Sequence, residues 1–311
     1  AIDLLTLVLH KPNFDKDILE REKKRYIASI SQSETMPGSI ASKAFNKALY
    51  GEHPYGLSSS GEVETIQKIS KKDLHNFYKN NYFSNELSIV IVGDISRKEA
   101  EELGNKISSG FTQSKIASPI PLVKEVKGQD IRISHPAKQA HLYYGAPIIK
   151  RGDPDFLTLY LGNYILGGGG FVSRLTQVIR EDRGLAYSVY SYFMPFIEKG
   201  PFQIGVQTKK NQVDQAKKLI EKTVAEFIKD GPTSDELKRA KDFMIGGFPL
   251  KLDSNKSILE YVSMMAFYKY PLDYLDTFTK KIDKISAEEI KSAFQRRVDM
   301  SKFSTVIVGG E

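Results

Sequence analysis

Two segments of this chain repeat one another. Residues 65–93 align without a gap with residues 281–309, and nine of the 29 positions are identical. Average composition would give about two identities by chance. Each segment combines a helix N-cap, an amphipathic helix and a short apolar strand, which reads "SIVIVG" at 88–93 and "STVIVG" at 304–309. The chain therefore contains two copies of one α/β unit, the usual mark of internal duplication.

The two copies differ in length. Before its repeated segment, the second copy has four further strand-like runs and two helices, beginning near residue 129. Counting back by the repeat places the expected start of the first copy roughly 85–90 residues before Ala1. We therefore expect residues 1–110 to form the C-terminal half of a first domain and residues 129–311 a second domain. A Ser-, Pro- and Lys-containing linker at 111–128 joins them.

The predicted fold class is α+β, with two related α/β-sandwich domains that arose by duplication. Each domain is expected to hold a mixed or antiparallel sheet with helices on one face, and the first to lack its N-terminal half. The predicted helices are 15–33, 39–50, 71–80, 97–106, 155–166, 172–181, 212–229, 234–247, 254–268 and 287–296.

Composition excludes several classes of function. The net charge is +7, but Lys and Arg alternate with acidic residues, which is typical of solvated helix faces, so we expect no nucleic-acid partner. No apolar run reaches 18 residues, so no integral membrane segment is expected. The absence of cysteine excludes disulfides and Cys-based zinc sites, and it suits a periplasmic or otherwise exported protein.

The histidines provide no local zinc motif. No two of them are spaced four residues apart, and there is no His-x-x-Glu-His. They are expected to be isolated surface or turn residues, with His53 in the turn "GEHPYG".

A glycine-rich stretch, "LGGGGF" at 166–171, is the first candidate site. It lacks the spacing of a phosphate-binding loop, and a helix rather than a strand precedes it. Gly167, Gly168, Gly169 and Gly170 would let another backbone approach closely. With Phe171, they are predicted to form a substrate-binding loop; the alternative is a plain flexible turn.

Arg180 and Tyr187 are the second candidate site. Arg180 falls near the end of a predicted helix and Tyr187 at the start of the following strand. A guanidinium and a phenol held together can donate hydrogen bonds to a peptide carbonyl or to a developing oxyanion. The alternative is a surface ion pair of Arg180 with Glu181 or Asp182, and a Tyr187 that packs in the sheet.

Four phrases resemble the insulinase/pitrilysin-type zinc metallopeptidases, in the branch of mitochondrial processing peptidase and its bacterial relatives. They are "LGGGGFVSRLTQVIREDRGLAYSVYS", "GEHPYG", "ISKKDLHNFYKNNY" and "IVIVGD", and the likeness covers essentially the whole chain. The resemblance implies duplicated α+β domains. It also implies that the His-x-x-Glu-His motif belongs to the front half of the first domain, before Ala1.

The resemblance further implies a glutamate zinc ligand on the helix at 15–33. Glu22 matches a glutamate that lies seven residues before this ligand, and the ligand position then holds Ser29. A serine hydroxyl is a poor zinc ligand. An alignment shifted by a few residues would instead make Glu34 the acid. We therefore expect no cofactor in this chain, with zinc in a partner subunit or bound with the upstream segment.

The resemblance implies that Arg180 and Tyr187 are the family's Arg/Tyr pair, which holds the substrate backbone. We therefore expect a non-catalytic, substrate-binding subunit of a zinc metallopeptidase heterodimer. Its partners would be a catalytic subunit of the same family and an extended peptide. The alternatives are an active peptidase whose motif lies upstream of Ala1, and a structural core-type subunit without protease activity.

Overall fold

The computed structural model describes residues 1–83, 87–112 and 119–309, which group by contact into two compact units. One unit consists of Ala1–Gln32, Ser60–Pro119 and Leu250–Leu272; the other consists of Ser33–Ser59, Ile120–Pro249 and Asp273–Glu311. This grouping reflects contacts in space, whereas the predicted domains are the two copies of a duplicated sequence. It therefore does not test the predicted domain boundaries.

The helices match the predicted positions closely, and three were not predicted: α1, α4 and α12. Boundaries differ by at most two residues, except where two predicted helices continue as π-turns. The helices are α1 Ile2–His10, α2 Lys16–Ser33, α3 Pro37–Tyr50, α4 Val63–Lys68, α5 Lys71–Asn81, α6 Arg97–Ser108, α7 Phe156–Asn163, α8 Arg174–Thr176, α9 Val213–Asp230, α10 Ser234–Gly247, α11 Asn255–Phe267, α12 Tyr274–Lys284 and α13 Ala287–Arg297.

Capping boxes with a serine or threonine at the N-cap start four of these helices. In α5 and α13, the two repeat copies, the N-cap hydroxyls of Ser70 and Ser286 accept hydrogen bonds from the third helical N–H. The acid at that third position, Asp73 or Glu289, accepts a hydrogen bond from the backbone N–H of the N-cap residue. Each box satisfies two backbone donors that a helix N-terminus otherwise leaves unpaired. The same motif begins α6 and α10.

The first unit is helical in the residues described. Its helix α1 is tied to α5 and α6 by side chains that bond to backbone carbonyls: the Tyr78 hydroxyl donates to Leu9 O at 2.7 Å, and His10 Nε2 lies 2.7 Å from Ile107 O. The strand predicted at 88–94 is not formed, because residues 87–94 have no ladder partner among the described residues. A β-strand exists only through hydrogen bonds to a neighbouring strand.

The second unit contains a five-stranded mixed sheet of order β1-β5-β2-β4-β3, which confirms the predicted fold class. β1 pairs in parallel with β5, and the other pairs are antiparallel. The strands are β1 Asp130–Ile133, β2 Gln139–Ile149, β3 Ala186–Phe193, β4 Gly200–Lys209 and β5 Ser304–Val308. The repeat's second apolar phrase is therefore an interior strand.

Helices cover both faces of this sheet. Successive residues of β2 point to opposite faces. Tyr143 contacts Phe45 of α3 with ring centroids 5.6 Å apart, whereas the Tyr144 ring lies 5.9 Å from Lys217 Nζ of α9. All five residues of β5 are buried, which explains the apolar run Val306–Val308 at its end. The prediction of helices on one face is therefore wrong for this sheet. The sequence pattern did not indicate that α3 would cover the face opposite α9.

The core under α9 and α13 is aromatic. The Phe294 ring lies 4.8 Å from that of Phe227 and 5.9 Å from that of Phe193, and Phe294 is fully buried. Gly162 of α7 leaves room for it, since a Cβ there would collide with the Phe294 ring.

We expect Phe294→Ala to lower the free energy of unfolding by about 3–5 kcal/mol, because it leaves a cavity among rings that cannot close around it. Urea denaturation followed by circular dichroism measures the change. Leu122→Ala is the control: that side chain is 74% exposed, and its loss should cost less than about 0.5 kcal/mol. Equal losses in the two variants would contradict the assignment of this core.

Candidate functional site

The glycine-rich stretch is packed against the sheet. Helix α7 passes into a π-turn, Tyr164–Gly168, and a Cβ on Gly167 would collide with Ser191 of β3. Asn163 Nδ2 donates to Ser191 O at 2.9 Å, and Ser191 Oγ donates to Asn163 Oδ1 at 2.6 Å, both buried. These contacts require a residue without a side chain at Gly167. The stretch is therefore anchored on β3 at its N-terminal end.

The second half of the stretch turns outward. A Cβ on Gly169 would collide with the carbonyl of Tyr164, and Gly170 has a left-handed backbone with φ +60°. A 3₁₀ turn, Gly170–Val172, follows and leaves the Phe171 side chain 66% exposed. The glycines therefore place an aromatic ring at the surface.

Arg180 lies on the next helical segment. Helix α8 continues as a second π-turn, Gln177–Glu181, and the chain leaves it at Gly184, whose N–H donates to Arg180 O at 2.9 Å and whose φ is +60°. These turns set the position of the Arg180 backbone relative to the start of β3.

The structure brings the predicted site residues together. Arg180 Cζ lies 4.5 Å from the centroid of the Phe171 ring and 5.1 Å from that of Tyr187. Both distances are within the range of cation–π attraction. Arg180 Nε also lies 3.3 Å from Glu181 Oε1. The surface ion pair that the sequence offered as the alternative is therefore present as well.

Tyr187 does not pack in the sheet. Its side chain is 80% exposed, and it lies where the pairing of β3 with β4 shifts register between Ala186 and Ser188. A β-bulge of this kind redirects a side chain away from the regular alternation. The bulge explains how a strand residue can stand in solvent beside Arg180. The roles of Arg180, Tyr187 and the glycine-rich loop in function stay predictions.

Sequence reasoning missed a residue that supports this site, Arg174. Its Nε and Nη2 donate to the two carboxylate oxygens of Glu236, each at 2.7 Å, and Nη2 also donates to Gly231 O at 3.0 Å. The guanidinium lies 5.0 Å from the Phe227 ring centroid. This bidentate pair fixes the start of α8 to the capping box of α10. The only sequence signal was the Thr233/Glu236 box itself.

The described residues do not fit a catalytic zinc. No group of three or more His, Cys, Asp or Glu side chains is placed to hold a metal among residues 1–83, 87–112 and 119–309. Ser29 is exposed on α2, and Glu22 pairs with Arg21 and Arg25. Glu34, the alternative ligand, lies in the turn after α2 with an oxygen 3.5 Å from Lys43 Nζ.

Three histidines bond to backbone carbonyls far apart in the sequence. The Nε2 atoms of His10, His53 and His135 lie within 3.1 Å of the carbonyls of Ile107, Pro121 and Thr35. His53 also accepts a hydrogen bond from the N–H of Tyr55, as expected for a residue that caps a turn. These contacts are structural.

A comparison of the sequence with known protein families identifies the family of this chain. Residues 68–244, more than half of the chain, match the family model described as the peptidase M16 inactive domain. This chain belongs to the peptidase M16 family. The match includes the glycine-rich stretch, Arg180 and Tyr187, and it confirms the resemblance to the insulinase-type peptidases.

Relatives and solved structures agree with this assignment. The chain is 30% identical over 313 residues to "Non-peptidase homolog YmxG" of Helicobacter pylori, covering all of this chain and 72% of that protein. It is 31% identical over 258 residues to "Uncharacterized zinc protease YmxG" of Bacillus subtilis, covering 83% of this chain and 62% of that one. A crystal structure of a peptidase M16 inactive domain from Pseudomonas fluorescens superposes with a TM-score of 0.96 at 35% identity, over the whole chain and 74% of that structure.

The chain thus spans between about three fifths and three quarters of these M16 relatives. No helix of the part that the structure describes is both long and apolar enough to cross a bilayer.

The pair of Arg174 and Glu236 makes a pH-dependent contribution to stability. Burial alone would raise the pKa of Glu236, but hydrogen bonds from Arg174 and Thr233 outweigh burial and lower the pKa from 4.5 to about 2. Stability from this carboxylate is therefore complete above pH 4.5 and is lost as the pH falls towards 2. We expect Glu236→Gln to lower the free energy of unfolding at pH 7 by roughly 2–3 kcal/mol.

The difference between wild type and Glu236→Gln should shrink as the pH falls from about 5 to 2. Chemical denaturation at several pH values measures it. Glu226→Gln, which changes a half-exposed acid on α9, serves as the control and should differ little from wild type at any pH. A pH-independent gap for Glu236→Gln would refute the linkage.

Proposed function

We propose that this chain is a non-catalytic, substrate-binding subunit of a zinc metallopeptidase heterodimer that cleaves extended peptides. Its membership of the M16 family and its match to the inactive domain of that family support a subunit without catalysis of its own. Serine at the position expected for a zinc ligand supports the same reading. A catalytic M16 subunit would supply zinc and the water that zinc activates.

The observation that carries the proposal is the contact of one partly exposed guanidinium with two exposed rings. Arg180 lies 4.5 Å and 5.1 Å from the ring centroids of Phe171 and Tyr187. Packing against two rings restricts the rotamers of a long side chain, so less entropy is lost when it binds a ligand. The guanidinium is held in place before the peptide arrives.

The chemistry of the three side chains suits an extended peptide. A guanidinium has five N–H donors and a phenol has one O–H donor, and both can bond to a backbone carbonyl. Phe171 adds apolar surface against which a substrate side chain can pack. In the transition state of peptide hydrolysis, such donors stabilise the negative charge that develops on the carbonyl oxygen.

We expect Arg180→Ala to lower the turnover of the heterodimer by roughly 100-fold, as for the loss of one oxyanion donor. The full-length chain would be purified with the M16 subunit that accompanies it and assayed on a fluorogenic peptide. Arg183→Ala is the matched control: this exposed arginine donates a hydrogen bond to Val178 O and lies 3.9 Å from Asp182 Oδ2. Turnover that is unchanged in Arg180→Ala would remove the pair from the mechanism.

An active peptidase with its motif upstream of Ala1 is the second candidate, and the name of the Bacillus subtilis relative favours it. Metal analysis of the full-length protein, purified without a partner, separates the two. We expect well under one zinc per chain, since Ser29 stands at the position expected for the glutamate ligand and a serine hydroxyl is a poor zinc ligand. One zinc per chain, lost on chelation together with peptidase activity, would establish the second candidate instead.

A structural subunit is the third candidate. The fold superposes on a chain of Complex III2 from Candida albicans with a TM-score of 0.81, but at 15% identity this likeness shows the fold alone. Co-purification of the full-length chain with no peptidase subunit would favour this candidate. We also propose an exported, periplasmic location, which fractionation of cells that express the full-length protein tests.

A further inference from the structure

A cavity lies in the unit that carries the sheet, and no residue of the Arg180 site lines it. This cavity has a volume of about 240 Å³. The segment at 123–126, the end of β2 and the end of α13 form most of its wall. Val123, Ala146, Pro147 and Ile148 supply the apolar part of the lining. The space suits a small molecule rather than a polypeptide.

The charged part of the lining is mainly basic. Five cationic side chains line the cavity, against two acidic ones, Glu125 and Asp299. The cationic residues are Lys124, Lys199, Arg296, Arg297 and Lys302. A concave, low-dielectric wall strengthens the field of such a set and raises the local concentration of anions.

Two of these cations are bound by partly buried aspartates, Asp153 and Asp155, which do not themselves line the cavity. Arg297 donates from Nε to Asp155 Oδ2 at 2.7 Å and from Nη2 to Asp153 Oδ1 at 2.9 Å, and Arg296 donates from Nη2 to Asp155 Oδ1 at 2.8 Å. The aspartate side chains are only 12% and 16% exposed. These bonds occupy two of the five N–H donors of Arg297, which also lines the cavity.

Two other cations have no acidic partner in the part of the chain that the structure describes. Lys302 Nζ lies 3.0 Å from Glu125 Oε1, whereas Lys124 and Lys199 form no ion pair with any residue that the structure describes. Both lysines are exposed, and neither has a counter-ion among the described residues. An organic anion could bind to them and to the two arginines while its apolar part packs against the apolar wall.

We propose that this cavity binds a small organic anion, a carboxylate or phosphate group carried on a compact apolar body. The oxyanion would lie among Lys124, Lys199 and the two arginines, and the apolar body against the end of β2. The proposal is independent of peptide binding at Arg180, because it uses none of the same residues.

Isothermal titration of the full chain tests it with two probes, phenyl phosphate and benzoate, which separate a phosphate ligand from a carboxylate. Two further compounds serve as controls. Inorganic phosphate lacks the apolar ring, and phenol lacks the anionic group. We expect saturable binding of at least one aromatic anion, at least about tenfold tighter than either control, since a hydrogen bond to a charged group contributes roughly 1.5–3 kcal/mol.

The double variant Lys124→Ala/Lys199→Ala should weaken that binding by at least about tenfold, because two charge-assisted hydrogen bonds are lost. Lys229→Ala/Lys284→Ala is the matched control: it removes the same charge from two exposed lysines that do not line the cavity, and should retain affinity within about twofold. Circular dichroism confirms that both variants are folded.

Absence of saturable binding by either aromatic anion would overturn the proposal. An equal loss of affinity in the two double variants would also overturn it, because the binding would then depend on net charge alone. Neither result would bear on the turnover assay of Arg180→Ala.

Discussion

The ladder in which β5 pairs with β1 on one side and with β2 on the other is the constraint on which the second unit depends. The last described strand of the chain thereby joins β1 to the rest of the sheet. Its Val306 and Val308 also form the core beneath α3, together with Phe45 and Leu49. Loss of this strand would expose an apolar helix face and two strand edges at once.

The candidate peptide site is a consequence of that sheet. β2 positions β4, and β4 positions β3, whose Ser191 anchors the glycine-rich stretch and whose bulge directs Tyr187 outward. The opposite end of the site is fixed by Arg174, which ties α8 to α10 through Glu236. Arg180 therefore lies between two anchored elements. Its contacts with Phe171 and Tyr187 follow from the rigid positions of their backbones.

The basic cavity depends on the same scaffold at a different place. The end of β2 provides its apolar wall, and α13 provides the arginines, which Asp153 and Asp155 hold from the turn before α7. Burial of these aspartates is tolerable because each accepts hydrogen bonds from a guanidinium. A single sheet with its helices thus presents two chemically distinct surfaces, one with aromatic rings around a guanidinium and one with cations around an apolar wall.

Local patterns in the sequence determined most of the secondary structure. The repeat located α5, α13 and β5, and the spacing of hydroxyl and acid at Ser70/Asp73 and Ser286/Glu289 located helix starts, because a capping box needs only residues that are near in sequence. Residues 88–94 show the limit of this reasoning. They carry nearly the same apolar phrase as β5 but form no strand among the described residues, since a strand requires a partner that a local pattern does not contain.

The sequence by itself determined the duplicated α+β character, the family resemblance and the identity of the candidate residues Phe171, Arg180 and Tyr187. Only the tertiary structure decided that Arg180 contacts both rings, that Glu236 supports the site from 62 residues beyond Arg174, and that cations from 124 to 302 line one cavity. These are contacts between distant segments, and their geometry depends on how the sheet and helices pack, which no local pattern of residues encodes.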